Sequence, residues 1–330
     1  VRRPATRRVA GALARVAALA AAWAAAFAGA PPALAAPFAY VTNQGSHDVS
    51  VVDLAAGRVV ATVPVGRAPA GVVAVSATGR VYVANPDSRD VSVIDMRSGR
   101  VLATWPAGEG PVGIDASADG RRVFVVDWFG QALRILDGAD GRLLARVPLG
   151  RAPAGVVVAP DGRTAYVAER DEDRVAVVDV EAGAVRARVP TGSHPFALLL
   201  DPARRRLFAL NVQSDDLSVI DTERLLPQAR VPVGKAPYGV ALTPDGRRLY
   251  VTNQHDDSVS VIDAESLRPL QTLRDFGYPE GIAAWGGEVL VVNWMDDDLS
   301  VLDAATGRTL RRIPTGRNPR GFGAFIGAPP

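Results

Sequence analysis

The chain repeats itself about every forty residues, and that period constrains its fold more than any other feature. The segment Tyr250 to Asn253, followed by Ser260 to Asp263, has counterparts along the whole sequence. Its first position is held in turn by Tyr40, Tyr82, Phe124, Tyr166, Phe208, Tyr250 and Leu290, and its last by Asp53, Asp95, Asp137, Asp179, Asp221, Asp263 and Asp303. Neighbouring aspartates stand 42 residues apart five times and then 40, and each lies 13 residues after its first position. A period in the low forties with several short strands per unit signals a propeller or a solenoid array.

One unit reads as four strands. Pro237–Thr243 is a short apolar run, and Pro244–Gly246 is a tight turn of the kind Asp-Gly favours. Arg248–Asn253 is a second run, Gln254–Asp257 a polar loop, Val259–Asp263 a third run, and Leu270–Leu273 the start of a fourth. Each run is short, β-branched and bounded by turn residues, so each reads as a strand; none has the length or period of a helix. The apolar character is nearly continuous, as expected of sheets covered on both faces. The expected fold is therefore all-β, a seven-bladed propeller of four-stranded antiparallel blades. By resemblance to other propellers, strands a to d run from the axis outward.

The chain after residue 36 begins with a strand-b sequence, Phe38–Asn43, and ends with a strand-a sequence, Pro319–Ile326. The last blade should thus combine a C-terminal strand a with N-terminal strands b, c and d, leaving no exposed sheet edge. The repeated aspartates precede turns and should accept turn amides. The segments Gly66–Gly71, Gly150–Gly155, Gly234–Gly239 and Gly316–Gly321 carry the chain inward. Their proline fixes an extended path, and their final glycine allows close backbone approach at the axis.

The first 36 residues differ in composition. Arg2, Arg3, Arg7, Arg8 and Arg15 lie there with no acid, around an Ala-rich apolar run ending in Pro31, Pro32 and the small-residue site Ala33-Leu34-Ala35. This reads as a cleaved signal peptide, leaving one domain over 37–330. The formal charge is +2, but without those five arginines 32 basic residues face 35 acidic ones. The basic balance belongs to the leader and gives no reason to expect nucleic-acid binding. With no cysteine there is no disulfide, thiolate metal site, covalently attached c-type haem or cysteine nucleophile. The expectation is a periplasmic or secreted monomer that does not stay in the membrane after cleavage.

Tyr40-Val41-Thr42-Asn43 and Tyr250-Val251-Thr252-Asn253, with looser copies at Tyr82–Asn85 and Leu290–Asn293, resemble the YVTN family of β-propeller repeat proteins. The resemblance covers 37–330. That family is similar to the seven-bladed propellers of the amine dehydrogenase large subunit and the cytochrome d1 haem domain. It implies export and an accessory role beside a quinoprotein or other oxidoreductase system. Asp127 and Glu169 depart from the motif's Asn, and Ala197 from the glycine of strand a.

In a propeller the d–a and b–c loops share the face around the channel mouth. After the loop proline stand Ala70, Val112, Ala154, Phe196, Tyr238, Glu280 and Arg320; before it, His194 and Tyr278 stand where other units have small residues. One half of the mouth should be bulky and polar. Arg67, Arg151, Lys235 and Arg317 follow the loop glycine and, if they converge, suit a small anionic ligand or a carboxylate on a protein partner. Trp128-Phe129 and Trp294 either stack on neighbouring blades or form a docking patch. His47, His194 and His255 lie on this face in separate blades, a poor set for one metal.

Two functions follow. The first is an exported non-catalytic binding or scaffold protein with no cofactor, using the loop face. The second is a metal-dependent, lactonase-like hydrolase at the channel mouth. Asp127 and Glu169 would then hold a hard cation such as calcium, with His194 as general base. Restoring Asn at 127 or 169 is expected to change stability little.

Overall fold

Near-continuous apolar runs make strands that are buried on both faces, and the strands here are buried in that way. In the computed structural model, which describes residues 37–330, strand b of each unit is buried from its second residue on, as in Arg248–Asn253. Strand c is buried along its middle, as in Asp48–Asp53. Strand d alternates, as in Arg58–Pro64, because one face meets solvent. The expected leader at 1–36 lies outside the described residues.

Seven four-stranded antiparallel sheets result, each ordered a-b-c-d. Blade 1 takes strands b to d from Phe38–Asn43, Asp48–Asp53 and Arg58–Pro64. Blades 2 to 7 follow in chain order. Their strands a are Val72–Val75, Pro111–Ala116, Pro153–Val158, Pro195–Asp201, Pro237–Leu242 and Pro279–Trp285. The core lies between blades: Tyr82 and Trp105 of blade 2, for example, pack with Ile114, Val125 and Leu136 of blade 3. The repeated aspartates accept turn amides, as Asp53 does from Ala56 N at 2.8 Å and Asp303 from Thr306 N at 2.7 Å. Hydrogen bonds to the turn hold Asp95 and Asp303 below the ordinary carboxylate range.

The axis is crowded. A Cβ on Gly71, Gly113, Gly155, Gly239 or Gly281 would overlap a strand-a carbonyl of the next blade, or Arg320 O after Gly281. That is why the loop motif ends in glycine. Two single 3-10 turns, Arg170–Glu172 and Gln254–Asp256, are the only helical segments among the described residues. None is long and apolar enough to cross a membrane.

The C-terminal segment pairs with strand b of blade 1, but not as the regular strand expected over 319–326. Pro319 bridges Asn43 and Arg320 N donates to Thr42 O at 2.8 Å. Tyr40 N donates to Phe325 O at 2.8 Å, and only Ile326–Gly327 pairs in register with Phe38–Ala39. Between these points the chain leaves the blade. Val72 N donates to Phe322 O at 2.9 Å and Ala74 N to Ala324 O at 2.8 Å, so the segment runs beside strand a of blade 2. Gly321 and Gly323, at φ +62° and +124°, make this excursion possible. It sends Phe322 across the channel.

Candidate functional site

Half of the channel mouth is bulky and polar, as the sequence suggested. Phe196 and Tyr238 stack with ring centroids 4.6 Å apart, and Phe322 reaches both at 5.0 and 5.8 Å. Trp128 packs on Phe196 at 6.3 Å, with Arg170 over its far side at 5.7 Å. These rings come from four different blades and plug the mouth. Phe322 is not among the residues the sequence singles out; its only signs there are an aromatic side chain at an aliphatic strand-a position and a glycine after it.

Beside the plug lies an ion pair. Arg320 Nε donates to Glu280 Oε2 at 2.7 Å and its Nη2 to Oε1 at 3.2 Å. The same Nη2 donates to the Tyr238 hydroxyl at 3.0 Å, and the guanidinium lies 5.7 Å from the Tyr238 ring centre. Gln254 Nε2 donates to Glu280 Oε1 at 3.1 Å. The Glu280 side chain is 2% exposed and that of Arg320 21%. Burial pushes the carboxyl of Glu280 upward against the pull of Arg320. Burial also drives the Tyr238 hydroxyl far above its ordinary value, so it stays protonated. Phe196, Tyr238, Glu280 and Arg320 are therefore one cluster, and its polar atoms answer one another.

The other expected residues make no hydrogen bond to it, though Tyr278 lies near enough to feel the charges of Glu280 and Arg320. Tyr278 stacks between His255 and Trp294, at 5.8 and 5.7 Å. His194 Nε2 lies 3.7 Å from Asp171, and His47 Nδ1 accepts from Ala68 N at 3.1 Å. The basic positions do not meet. Arg67 donates to Asp87 O, Arg151 pairs with Glu172 at 2.9 Å, and Arg317 donates to Gly45 O. Each folds onto the b–c loop of the blade its own loop enters. Lys235 lies in a separate groove with His194 and His255. The expected basic ring is three outward clasps and one lysine.

Acids of the b–c loops also have a task that the sequence did not show. The residue before the loop proline takes positive φ at His194, Ala236, Tyr278 and Asn318. The amide of each is caught by an aspartate of the preceding blade: Asp173, Asp215, Asp257 and Asp297, at 2.7 to 3.0 Å.

Asp127 and Glu169 serve the frame. In five blades the Asn ending strand b donates to two side chains of strand c, as Asn43 does to Asp48 and Ser50 at 2.6 and 2.9 Å. In blade 4 both partners change together: Glu169 stands for Asn and Arg174 for Asp. Glu169, with its side chain fully buried, takes Arg174, Arg188 at 3.1 Å and Gly150 N at 2.6 Å. In blade 3, Asp127 Oδ1 accepts three amides, from Glu109, Gly110 and Gly130, each at 3.0 Å. A carboxylate already neutralised by two guanidiniums and another filled by three amides do not fit a shared cation. Among the described residues no group of three or more His, Asp or Glu is placed to hold a metal.

The stability expectation at position 169 changes accordingly. Asn cannot answer two guanidiniums, so Glu169→Asn should cost about 2 kcal/mol. The value sits below that for a stranded buried charge because Arg174 and Arg188 remain 33% and 41% exposed and can hydrate. Urea unfolding with Asp127→Asn as a neighbouring control, expected within about 1 kcal/mol of the parent, checks it.

The surface of the same face carries two unpartnered apolar side chains. Phe129 is 68% exposed and Met295 64%, each next to a stacked tryptophan in a b–c loop. Trp128 meets Arg170 of blade 4 and Phe196 of blade 5, and Trp294 stacks on Tyr278 at the entry of its own blade, whereas Phe129 and Met295 face solvent.

Two family models match parts of the chain. A YNCE-like β-propeller model matches residues 38–161, and a seven-bladed β-propeller lactonase model residues 138–225. No curated protein matches the chain in sequence. Among solved structures it is similar to Kuenenia stuttgartiensis hydrazine synthase, with 19% identity, a TM-score of 0.71 and 84% of this chain against 98% of that one. A functionally unknown protein from Desulfotomaculum acetoxidans DSM 771 gives 13%, 0.74, 88% and 98%. Dihydro-heme d1 dehydrogenase NirN in complex with DHE gives 20%, 0.68, 89% and 75%. At these identities the likeness is one of fold, and the chain is a seven-bladed β-propeller.

Proposed function

We propose that this propeller is an exported, non-catalytic binding or scaffold protein that holds a partner protein on its d–a/b–c loop face. One observation carries the reading. The acids and aromatics of the mouth are bound to one another, while Phe129 and Met295 stand free on the same face. A site built for acid–base chemistry keeps a titratable group within reach of substrate; a docking face presents large apolar anchors. The partner is an exported protein, and an accessory role beside an oxidoreductase system agrees with one structural neighbour being a dehydrogenase. A partner of this kind needs no cofactor in the propeller itself.

The test is capture from the native host's exported fraction on immobilised protein, with a Phe129→Glu, Met295→Glu double variant in parallel. A protein retained in stoichiometric amount by the parent, and at least tenfold less by the variant, is expected. Equal retention by both removes the loop face from the reading.

The match to a lactonase model over 138–225 favours a second reading, a hydrolase. Asp127 and Glu169 do not fit as its metal ligands, so a hydrolase would need another site. Lactone hydrolysis that survives EDTA and both Asn variants would support it.

A further inference from the structure

Beneath the aromatic plug the channel opens into a cavity of about 280 Å³. Its walls are strands a of blades 3 to 7 and the excursion at 321–324. Blade 2 contributes nothing, because that excursion covers its inner strand. The roof is set by position: Phe196 and Tyr238 immediately precede the wall residues Ala197 and Gly239, and Phe322 closes the side. The lining continues to Leu242, Ala284 and Ala324. Leu242 is the last residue of its strand, so the cavity runs toward the face opposite the loops.

One wall residue breaks the pattern. Asp115 occupies the repeat position held elsewhere by Val73, Val157, Leu199, Ala241, Ala283 and Gly323. It is the only charged side chain lining the cavity among the described residues. Its Oδ2 accepts from Val158 N and its Oδ1 from Ala116 N, both at 2.8 Å. The bond from Val158 ties blade 3 to blade 4, but both donors are neutral and bring no counter-charge. Burial lifts the carboxyl to about 6, so at pH 7 most of it is still ionised. Asp115 is only partly buried, so water reaches the carboxylate. The walls around it are apolar and no cation among the described residues stands beside it, so a cation that enters the channel gains by pairing with it. The cavity lies just below the range for small-molecule sites, roughly 300–1,000 Å³, which suits a ligand of a few heavy atoms, and it has their usual composition of apolar walls and a polar anchor.

We propose that this cavity binds a small organic cation, an ammonium group with a short hydrocarbon tail. The ammonium pairs with the Asp115 carboxylate and the tail lies on Val157, Leu199, Ala241 and Ala283. The site is independent of the loop face and of any partner there.

The probe is n-butylammonium chloride, with n-butanol as its uncharged counterpart, titrated calorimetrically into the full described chain at pH 7.5. Saturable binding of the ammonium is expected, at least tenfold tighter than the alcohol. Asp115→Asn should lose at least tenfold, while keeping whatever weak affinity the alcohol shows. Because Asp115 also ties two blades, Ala283→Leu serves as a second variant. It fills the cavity without touching the acid, and blade 5 already carries Leu199 at that position. It should abolish binding of both probes. Equal affinity for ammonium and alcohol, unchanged binding in Asp115→Asn, or full binding in Ala283→Leu would each overturn the site. No heat with either probe would overturn it too, leaving a water-filled channel.

Discussion

Replacing Arg320 by Met should cost about 3–5 kcal/mol, among the largest losses from any single substitution in the protein. The reason is what it leaves behind. Glu280 is 2% exposed, with two of its hydrogen bonds supplied by Arg320 and only one by Gln254. Removing the guanidinium strands a buried carboxylate, which must then take a proton or draw water into the plug. Removing both charges together is different, since a buried ion pair is often no better than well-packed apolar residues. The double variant Arg320→Met, Glu280→Met should therefore recover at least half of the loss. Urea unfolding of the single and double variants checks this; a single variant within 1 kcal/mol of the parent (about one fifth of the smallest common stability) contradicts the pairing.

Deleting residues 319–330 should have a still larger effect. The deletion removes the pairing with Phe38–Asn43, the Arg320 partner of Glu280, and two buried phenylalanines, Phe322 and Phe325. Loss of a buried Phe costs about 3–5 kcal/mol each, and the stranded Glu280 adds a similar amount. Together these approach the whole stability of a typical domain, about 5–15 kcal/mol. The truncated chain also exposes the edge of Phe38–Asn43, an open template for pairing with other chains. Size-exclusion chromatography should show aggregates or a grossly lowered yield of monomer. A soluble monomer with an unchanged melting curve would show that the ring does not depend on its C-terminal segment.

The architecture was legible because the repeat states it seven times. Thirteen residues from a large apolar side chain to aspartate, and a turn after every third strand, each report one local requirement, and those requirements recur. The mouth was half legible. Phe196, Tyr238, Glu280 and Arg320 stood out as large residues at a position small in other blades, and the structure joins them. What the sequence hid were pairings that span blades. Arg67, Arg151 and Arg317 look like a ring only when they are lined up by repeat. Each in fact has a nearby carbonyl or acid to satisfy, and a long flexible side chain takes the near partner. Glu169 reads as a departure from Asn when taken alone; its meaning lies in Arg174, five residues on, which stands where other blades have Asp48 and Asp216. The change is a paired exchange of one polar pin for another. Asp115 breaks an aliphatic position as plainly as Glu169 breaks an amide one, but only the channel gives that break a meaning. Phe322 is hard to read for a different reason: Gly321 and Gly323 permit the excursion, but its bonds to Val72 and Ala74 join segments about 250 residues apart.

The most direct measurement for a loop face that binds and does not catalyse is native mass spectrometry, with elemental analysis, of the protein recovered from its own host. The expected mass is that of the polypeptide, alone or with a protein partner, with no stoichiometric metal. A stoichiometric cation that is lost in Asp127→Asn or Glu169→Asn would contradict this, and would make that side of the channel a metal centre.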